Sequence, residues 1–355
     1  MDFSTTPEQG ELAALTRRIA TDHVTPDSLG PHGTGGFDRT LWRALARAGV
    51  LDAALPSAVG GGGFGLLEQC SILLELGRAV APVPYLPTIT MAASALAGAG
   101  TPDLLERWLV PAVRGDAVLT AAVPDTGTPC GFTAERTPAG WRVSGAQTAV
   151  PFGAFADALL IQATTSDGDV VLVVDADEPG LTVSAQQTVD HADAALVEAA
   201  DVMATAELPG TAGPLRLRGT VGVCAYQLGV LERAVELTAA YARERRQFGQ
   251  PIGGFQAVRH RLADAHLDVE AVRLTLWQAA WRLAAGEDAA GEVATAKYWA
   301  AEAGHRVAHA AVHVHGGVGI DVDHVLHRYF VAAKRCEFAL GGATVQLREL
   351  GGLLS

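Results

Sequence analysis

The strongest constraint on this chain is a long helical stretch. From Pro214 to Arg246 nothing interrupts a helix apart from tolerated glycines, and Leu228, Leu231, Val235 and Leu237 give it one apolar face. Further helical patterns cover roughly Phe255 to Ala285 and Glu292 to Val314. Helices of this length bury their apolar faces against one another, so residues 211–355 are expected to form a helical bundle domain.

The preceding segment has another character. From Ala117 to about Pro209 the chain is rich in Val, Thr, Gly and Asp, with short alternating runs such as Trp141-Arg142-Val143-Ser144. Asp169 to Asp175 reads as a buried strand followed by a turn that Pro179-Gly180 closes. Residues 116–210 are therefore expected to be a middle β domain. Residues 1–115 read as an N-terminal helical domain. There Thr6 caps a first helix, Pro7 sits where a missing N–H costs nothing, and Gln9 completes a capping box. A second helix starts near Asp38, runs through Leu41, Trp42 and Leu45, and ends at Gly49. The glycine run Gly60 to Gly63 lacks the lysine and spacing of a P-loop and reads as a flexible surface loop. The expected fold class is mainly α with a β middle domain.

Composition narrows the function. Lys+Arg 26 against Asp+Glu 39 gives a formal charge of 26 − 39 = −13, which excludes nucleic acid as the expected partner. Charged residues are 18%, below the roughly 25% of an average soluble chain, while hydrophobics reach 49%; a surface covered by other subunits is expected. No stretch approaches the roughly 18 apolar residues of a membrane span, and the first residues carry no basic-then-apolar leader, so the expected location is cytoplasmic. Cys70, Cys130, Cys224 and Cys336 form no CxxC pair and are expected to be reduced and structural.

Two segments carry chemistry. Tyr241 to Gln256 leaves a long helix through a basic, glycine-containing turn and enters the next helix, placing Arg245, Arg246 and backbone N–H groups where an anion such as a pyrophosphate can sit. His313 to Gly319 puts glycines directly after a helix, where they either cap it or let a ligand approach the backbone. Together with the Thr-Pro-Glu-Gln opening, the glycine run and the His327-Arg-Tyr-Phe330 tail, these segments resemble the acyl-CoA dehydrogenase family over nearly the whole chain. The resemblance implies an N-terminal helical domain, a β-barrel-like middle domain and a C-terminal four-helix bundle, usually in a tetramer. It implies FAD as cofactor, an acyl-CoA substrate of fatty acid or steroid catabolism, and α,β-desaturation. A carboxylate takes the α-proton while a hydride passes to the flavin.

Carried over residue by residue, the resemblance is lopsided. The family's groups for the ADP half of a neighbouring subunit's FAD fall on Arg245, Phe248, Gln256, Gly316 and Gly317, with His313 replacing a common glutamine. The groups that a subunit offers to its own flavin ring are lost. Ala122 stands where the family has a hydroxyl donor, and Ala149-Val150-Pro151 replaces its Trp-Ile-Thr segment. The base is lost too: its usual position falls on Leu340 or Gly341, and the alternative register on Gly219. Glu232, Glu236 and Glu337 lie nearby and read as surface or interhelical carboxylates. The catalytic residue is therefore unassigned. This pattern resembles the short actinobacterial subunits of two-plus-two heterotetramers, implying a helper subunit that completes the FAD site of a paralogous, glutamate-bearing partner.

Two other readings stay open. One is a self-sufficient homo-oligomeric flavoenzyme with a relocated base such as Glu337. The other is a non-catalytic CoA-ester-binding or structural protein. His305, His309 and His313 recur every four residues on one helical face, and His315, His324 and His327 follow. Without HExxH or a carboxylate or cysteine at ligand spacing they read as interhelical hydrogen-bonding groups, and no metal is expected.

Overall fold

The computed structural model describes residues 4–25 and 36–353. Helix α1 (Pro7–His23) begins as the sequence dictates: the Gln9 N–H donates to Thr6 Oγ1 at 3.2 Å and the Thr6 N–H donates to Gln9 Oε1 at 2.9 Å. Asp38 caps α2 (Arg39–Arg47), accepting from the N–H groups of Thr40 and Leu41, and Gly49 turns the chain at φ 73°. Helix α3 (Leu66–Ala79) follows the glycine run. A π-helical stretch, Tyr85–Ala93, runs into α4 (Ser94–Ala99); α5 (Pro102–Leu104), a second π stretch at Leu105–Leu109 and α6 (Val110–Val113) complete this part.

The glycine run is not the flexible loop expected from the sequence. The N–H groups of Gly61, Gly62 and Gly63 donate to the carbonyls of Pro56, Asp52 and Leu55, and a Cβ on Gly61 or Gly62 would lie 2.3 or 2.7 Å from a backbone oxygen. The glycines permit close backbone packing. With those donors spent, no phosphate cradle remains either.

Eight strands make one sheet: β1 (Leu119–Ala122), β2 (Phe132–Thr137), β3 (Gly140–Pro151), β4 (Ala158–Thr165), β5 (Gly168–Asp175), β6 (Leu181–Gln187), β7 (Asp193–Met203) and β8 (Ala206–Glu207). Their order is β6-β7-β3-β2-β4-β5-β8, with β1 parallel to β4. Alternate residues point inward, as in β2, where Phe132 and Ala134 join Val143, Leu159, Ile161, Leu172, Val174 and Val197 in one core.

The remainder is helical: α7 (Ala212–Glu244), α8 (Gln256–Ala284), α9 (Ala290–His315), α10 (Val325–Phe338) and α11 (Ala343–Leu353). Strands followed by long helices, after a helical start, give the acyl-CoA-dehydrogenase-type architecture that the sequence implied. Helix α9 carries a run of buried alanines and packs against α8, α10 and α11, while Gly304 makes room for the Gln227 side chain of α7, 2.0 Å from where its Cβ would stand. The residues fall into two compact units. One holds α1, Cys70–Ala81 and the chain from Val223 on; the other holds residues 36–69 and 82–222. All four cysteines are free thiols. No helix among the described residues is long and apolar enough to cross a membrane.

Candidate cofactor site

After α7 the chain makes a miniature hairpin. Arg246–Gln247 pairs antiparallel with Gln250–Pro251, leaving Phe248 and Gly249 as the two central residues at φ 50° and 81°. Positive φ at both positions is what a two-residue turn of this kind demands, and glycine or asparagine usually meets it. Phenylalanine costs strain there, yet the residue is 92% exposed, its ring meeting Phe255 edge-on at 6.1 Å. The Arg245 N–H donates to the Tyr241 carbonyl at 2.8 Å and the Ile252 N–H to the Arg245 carbonyl at 2.8 Å. The backbone is thus fixed while the Arg245 guanidinium stays exposed, with no ion pair among the described residues. Gln256, at the start of α8, is exposed, its amide 3.5 Å from His260 Nε2.

The second turn lies where α9 ends. Gly316 adopts φ 66° and ψ −143°, a conformation closed to side chains, and neither Gly316 nor Gly317 has an atom within 4 Å of where a Cβ would stand. His313 is exposed on the last turn of α9. The two turns meet through a contact that the sequence did not announce. The Tyr241 and His315 rings stack at 4.3 Å and 21°, and His315 Nδ1 lies 2.9 Å from the Ala311 carbonyl. A carbonyl only accepts, so Nδ1 carries the proton. Burial, with His324 beside it, holds His315 below the usual imidazole value.

Arg245, Phe248, Gly316 and Gly317 thus combine an unpaired cation, an open aromatic face and bare backbone within one unit. That donor set suits a pyrophosphate and an attached ring. The region at Ala122 and Pro151 does not suit a flavin ring. Ala122 and Val150 are 1% exposed, the Thr120 hydroxyl is spent on the Pro151 carbonyl, and Pro151 has no N–H. Ala149, at φ 56° beside a register shift in β3, gives its N–H to Gln186 at 2.8 Å. Neither a ring nor a free hydroxyl stands at residues 149–151.

The turn on which the family's usual base position falls is aliphatic. Lys297, fully buried, donates to the Cys336 and Glu337 carbonyls at 2.9 and 3.0 Å, and Gln346 donates to the Leu340 and Gly341 carbonyls at 3.1 and 3.3 Å. Between these clamps Leu340 is held at φ 56°. The nearby acids are paired, as expected. Glu232 bridges Arg78 and Arg273 at 2.8 and 2.7 Å. Although burial alone raises the Glu236 pKa, the Arg78 and Arg233 guanidiniums hold it below the carboxylate range. Glu337 lies 2.5 Å from Lys334 and 3.3 Å from His305. In the histidine row the His305 and His309 rings lie 4.5 Å apart with their planes tilted by 42°, and among the described residues no group of three or more His, Cys, Asp or Glu could hold a metal ion.

Two family models match the chain: the acyl-CoA dehydrogenase N-terminal domain at residues 6–116 and the acyl-CoA dehydrogenase C-terminal domain at residues 218–352. The acyl-CoA dehydrogenase FadE27 of Mycobacterium tuberculosis is 47% identical over 99% of this chain and 98% of its own length. The chain belongs to the acyl-CoA dehydrogenase family. Among solved structures, the ChsE4-ChsE5 complex from Mycobacterium tuberculosis contains a chain 47% identical, with a TM-score of 0.94, covering 100% of this chain and 99% of that one. A variant of the Tcur3481-Tcur3483 steroid ACAD is 41% identical, with a TM-score of 0.92 and 98% and 97% coverage. Butyryl-CoA dehydrogenase from Megasphaera elsdenii is 25% identical, with a TM-score of 0.90 and full coverage of both chains. The cofactor that goes with this acyl-CoA dehydrogenase membership is FAD.

Proposed function

We propose that this chain is the helper subunit of a heteromeric acyl-CoA dehydrogenase, paired two-plus-two with a paralogous, glutamate-bearing subunit. Arg245, Phe248, Gln256, His313, Gly316 and Gly317 hold the ADP half of an FAD whose flavin ring rests on the partner. The observation that carries this reading is the asymmetry: an exposed arginine and aromatic turn with no ion pair among the described residues, whereas the own-flavin edge is reduced to Ala122 and Pro151 and the base position holds Leu340.

When bound, FAD would supply the two-electron acceptor that desaturation of an acyl-CoA thioester needs. This chain's part is binding and orientation. The Arg245 guanidinium meets the pyrophosphate with charge-assisted hydrogen bonds. The Phe248 ring packs on the cofactor and sheds water, Gln256 and His313 hydrogen-bond its polar edge, and the glycines admit close backbone approach. An aliphatic side chain cannot remove a proton, so the base comes from the partner subunit. The two relatives solved as complexes, one of them a steroid ACAD, support a heteromeric enzyme acting on a steroid-derived acyl-CoA. Residues 1–115, 116–210 and 211–355 serve as its N-terminal, middle and C-terminal domains.

The test is FAD content by absorbance, for the chain purified alone and co-expressed with a glutamate-bearing paralogue. Little flavin alone, rising to one FAD per pair of chains, is the expected result. One FAD per chain when alone overturns the helper role.

A further inference from the structure

Two turns that carry the proposed ADP-half residues are far apart in sequence, and each is anchored to the same pair of rings. The Arg245 N–H donates to the Tyr241 carbonyl at 2.8 Å in the last main-chain turn of α7, so the arginine turn starts one helical turn after the Tyr241 ring. His315 directly precedes Gly316 and is itself tied down by its Nδ1–H bond to the Ala311 carbonyl at 2.9 Å. The two rings stack at 4.3 Å, and the Tyr241 hydroxyl reaches the His315 carbonyl at 3.5 Å. Beneath them Ala242, Ile252 and Val314 form a small apolar cluster with Phe255, Val258 and Leu262. On the other side His324 meets the His315 ring at 5.3 Å and caps α10, its Nδ1 accepting the Leu326 N–H at 3.2 Å.

We propose that the Tyr241–His315 stack is a positioning pair: it locks the arginine turn to the glycine turn so that both present their groups to FAD without reordering. This rests on the ADP-half reading above and assigns neither ring a contact with the cofactor. Ordering two loops in advance removes that entropy from binding, and an aromatic stack is the size of interaction that sets such an equilibrium. His315 suits the task because its second ring nitrogen is not needed for the contact. The neutral tautomer supplies both the donor to Ala311 and an uncharged face to Tyr241.

The experiment uses the complex with the glutamate-bearing paralogue and measures the FAD dissociation constant of the stripped protein by fluorescence. It also measures tryptic cleavage after Arg245 and Arg246 in this chain without FAD. His315→Ala and Tyr241→Ala are each expected to weaken FAD on the order of ten-fold and to speed cleavage at the turn. The double variant is expected to be no weaker than either single one, since each breaks the same lock. His315→Phe and Tyr241→Phe keep the rings and are expected to stay within about three-fold of the parent. Arg245→Ala is the control. If it weakens FAD while His315→Ala changes neither affinity nor cleavage, the positioning pair is refuted and the ADP-half reading stands. If His315→Ala weakens FAD without loosening the turn, or if the two single effects add, the lock is also refuted. If Arg245→Ala has no effect, the reading beneath it falls.

Discussion

Where α3 crosses α7 the helices touch backbone to backbone, and a single methyl group tests that geometry. A Cβ on Gly77 would lie 2.0 Å from the Tyr226 carbonyl oxygen, and one on Gly229 would lie 1.9 Å from the Leu74 carbonyl oxygen. An ordinary carbon–oxygen contact needs about 3.3 Å, so Gly77→Ala forces the helices apart by more than an ångström. Ile72, Leu73 and Leu76 of α3 and Val230 and Leu231 of α7, all at 1% exposure or less, lie in the packed interior that such a separation disturbs. Overpacking of this kind costs roughly 3 kcal/mol, and alanine returns about 1 kcal/mol of helix propensity, leaving about 2 kcal/mol of destabilisation. At about 2 °C per kcal/mol for a large chain, the thermal midpoint should fall by about 4 °C. Gly229→Ala should behave alike, and the double variant should lose less than the sum, because the first separation makes room for the second methyl. Gly10→Ala is the control: it lies in α1 with nothing within 4 Å of the added carbon and should gain stability. A midpoint that rises for Gly77→Ala as it does for Gly10→Ala, followed by calorimetry, refutes the close crossing.

Arg245→Ala should leave the thermal midpoint within about 1 °C, since the side chain makes no ion pair among the described residues, yet weaken FAD retention in the complex by roughly 10- to 100-fold. Acidification should destabilise the chain through His309 and His315, whose folded pKa values lie below the ordinary 6.5 because burial, then neighbouring histidines and, for His309, Lys334 oppose their charge. The unfolded chain then binds protons that the folded one refuses, so stability holds above about pH 6.5 and is lost as pH falls through that value. Denaturant midpoints at pH 7.5 and 5.5 should show a smaller fall in a His309→Gln, His315→Phe variant than in the parent; an equal fall contradicts the assignment. Burial pushes the Cys224 thiol up to about 12, so it should resist a thiol reagent at pH 8, whereas half-buried Cys130 reacts first; mass spectrometry of the labelled peptides decides.

What the sequence made legible was local. The Thr6–Gln9 box, the helix start at Asp38 and the Gly49 stop depend on residues two or three apart, and each stands where the pattern put it. Helix α7 runs from Ala212 to Glu244 against an expected Pro214 to Arg246, because the arginine turn itself starts the little hairpin at Arg246. The glycine run was misread because its partners are carbonyls of Asp52 to Pro56, and no periodicity reveals where a loop's N–H groups go. The π-helical stretch at Tyr85–Ala93 and the parallel pairing of β1 with β4 left no signal either. At the site, the positions of Arg245 and the Gly316 turn could be read from their motifs. The stack that joins them could not: Tyr241 and His315 are 74 residues apart, and each alone looks like an ordinary helix residue. Lys297 is the sharper failure. A lysine amid alanines suggests a solvated position, whereas the fold buries it to satisfy the end of α10.

That buried lysine bears on whether the fold requires a base at residues 339–342. Lys297 and Gln346 take the carbonyls at residues 336, 337, 340 and 341, so the shape of the base-position turn is dictated from outside it. Leu340 at φ 56° contributes only strain, on the order of 1 kcal/mol against a glycine. A turn imposed by its surroundings can display a carboxylate or a leucine without changing course, so the fold itself does not require a base. The flavin edge follows the same logic: the Thr120 hydroxyl and Gln186 satisfy backbone groups around Pro151 and Ala149 with no cofactor taking part. The arginine turn is the opposite case. Phe248 is strained and exposed, and Arg245 is exposed with no ion pair among the described residues, so no interaction among those residues accounts for either. Groups that the described residues do not use are free to meet a ligand, as the Arg245→Ala experiment above tests.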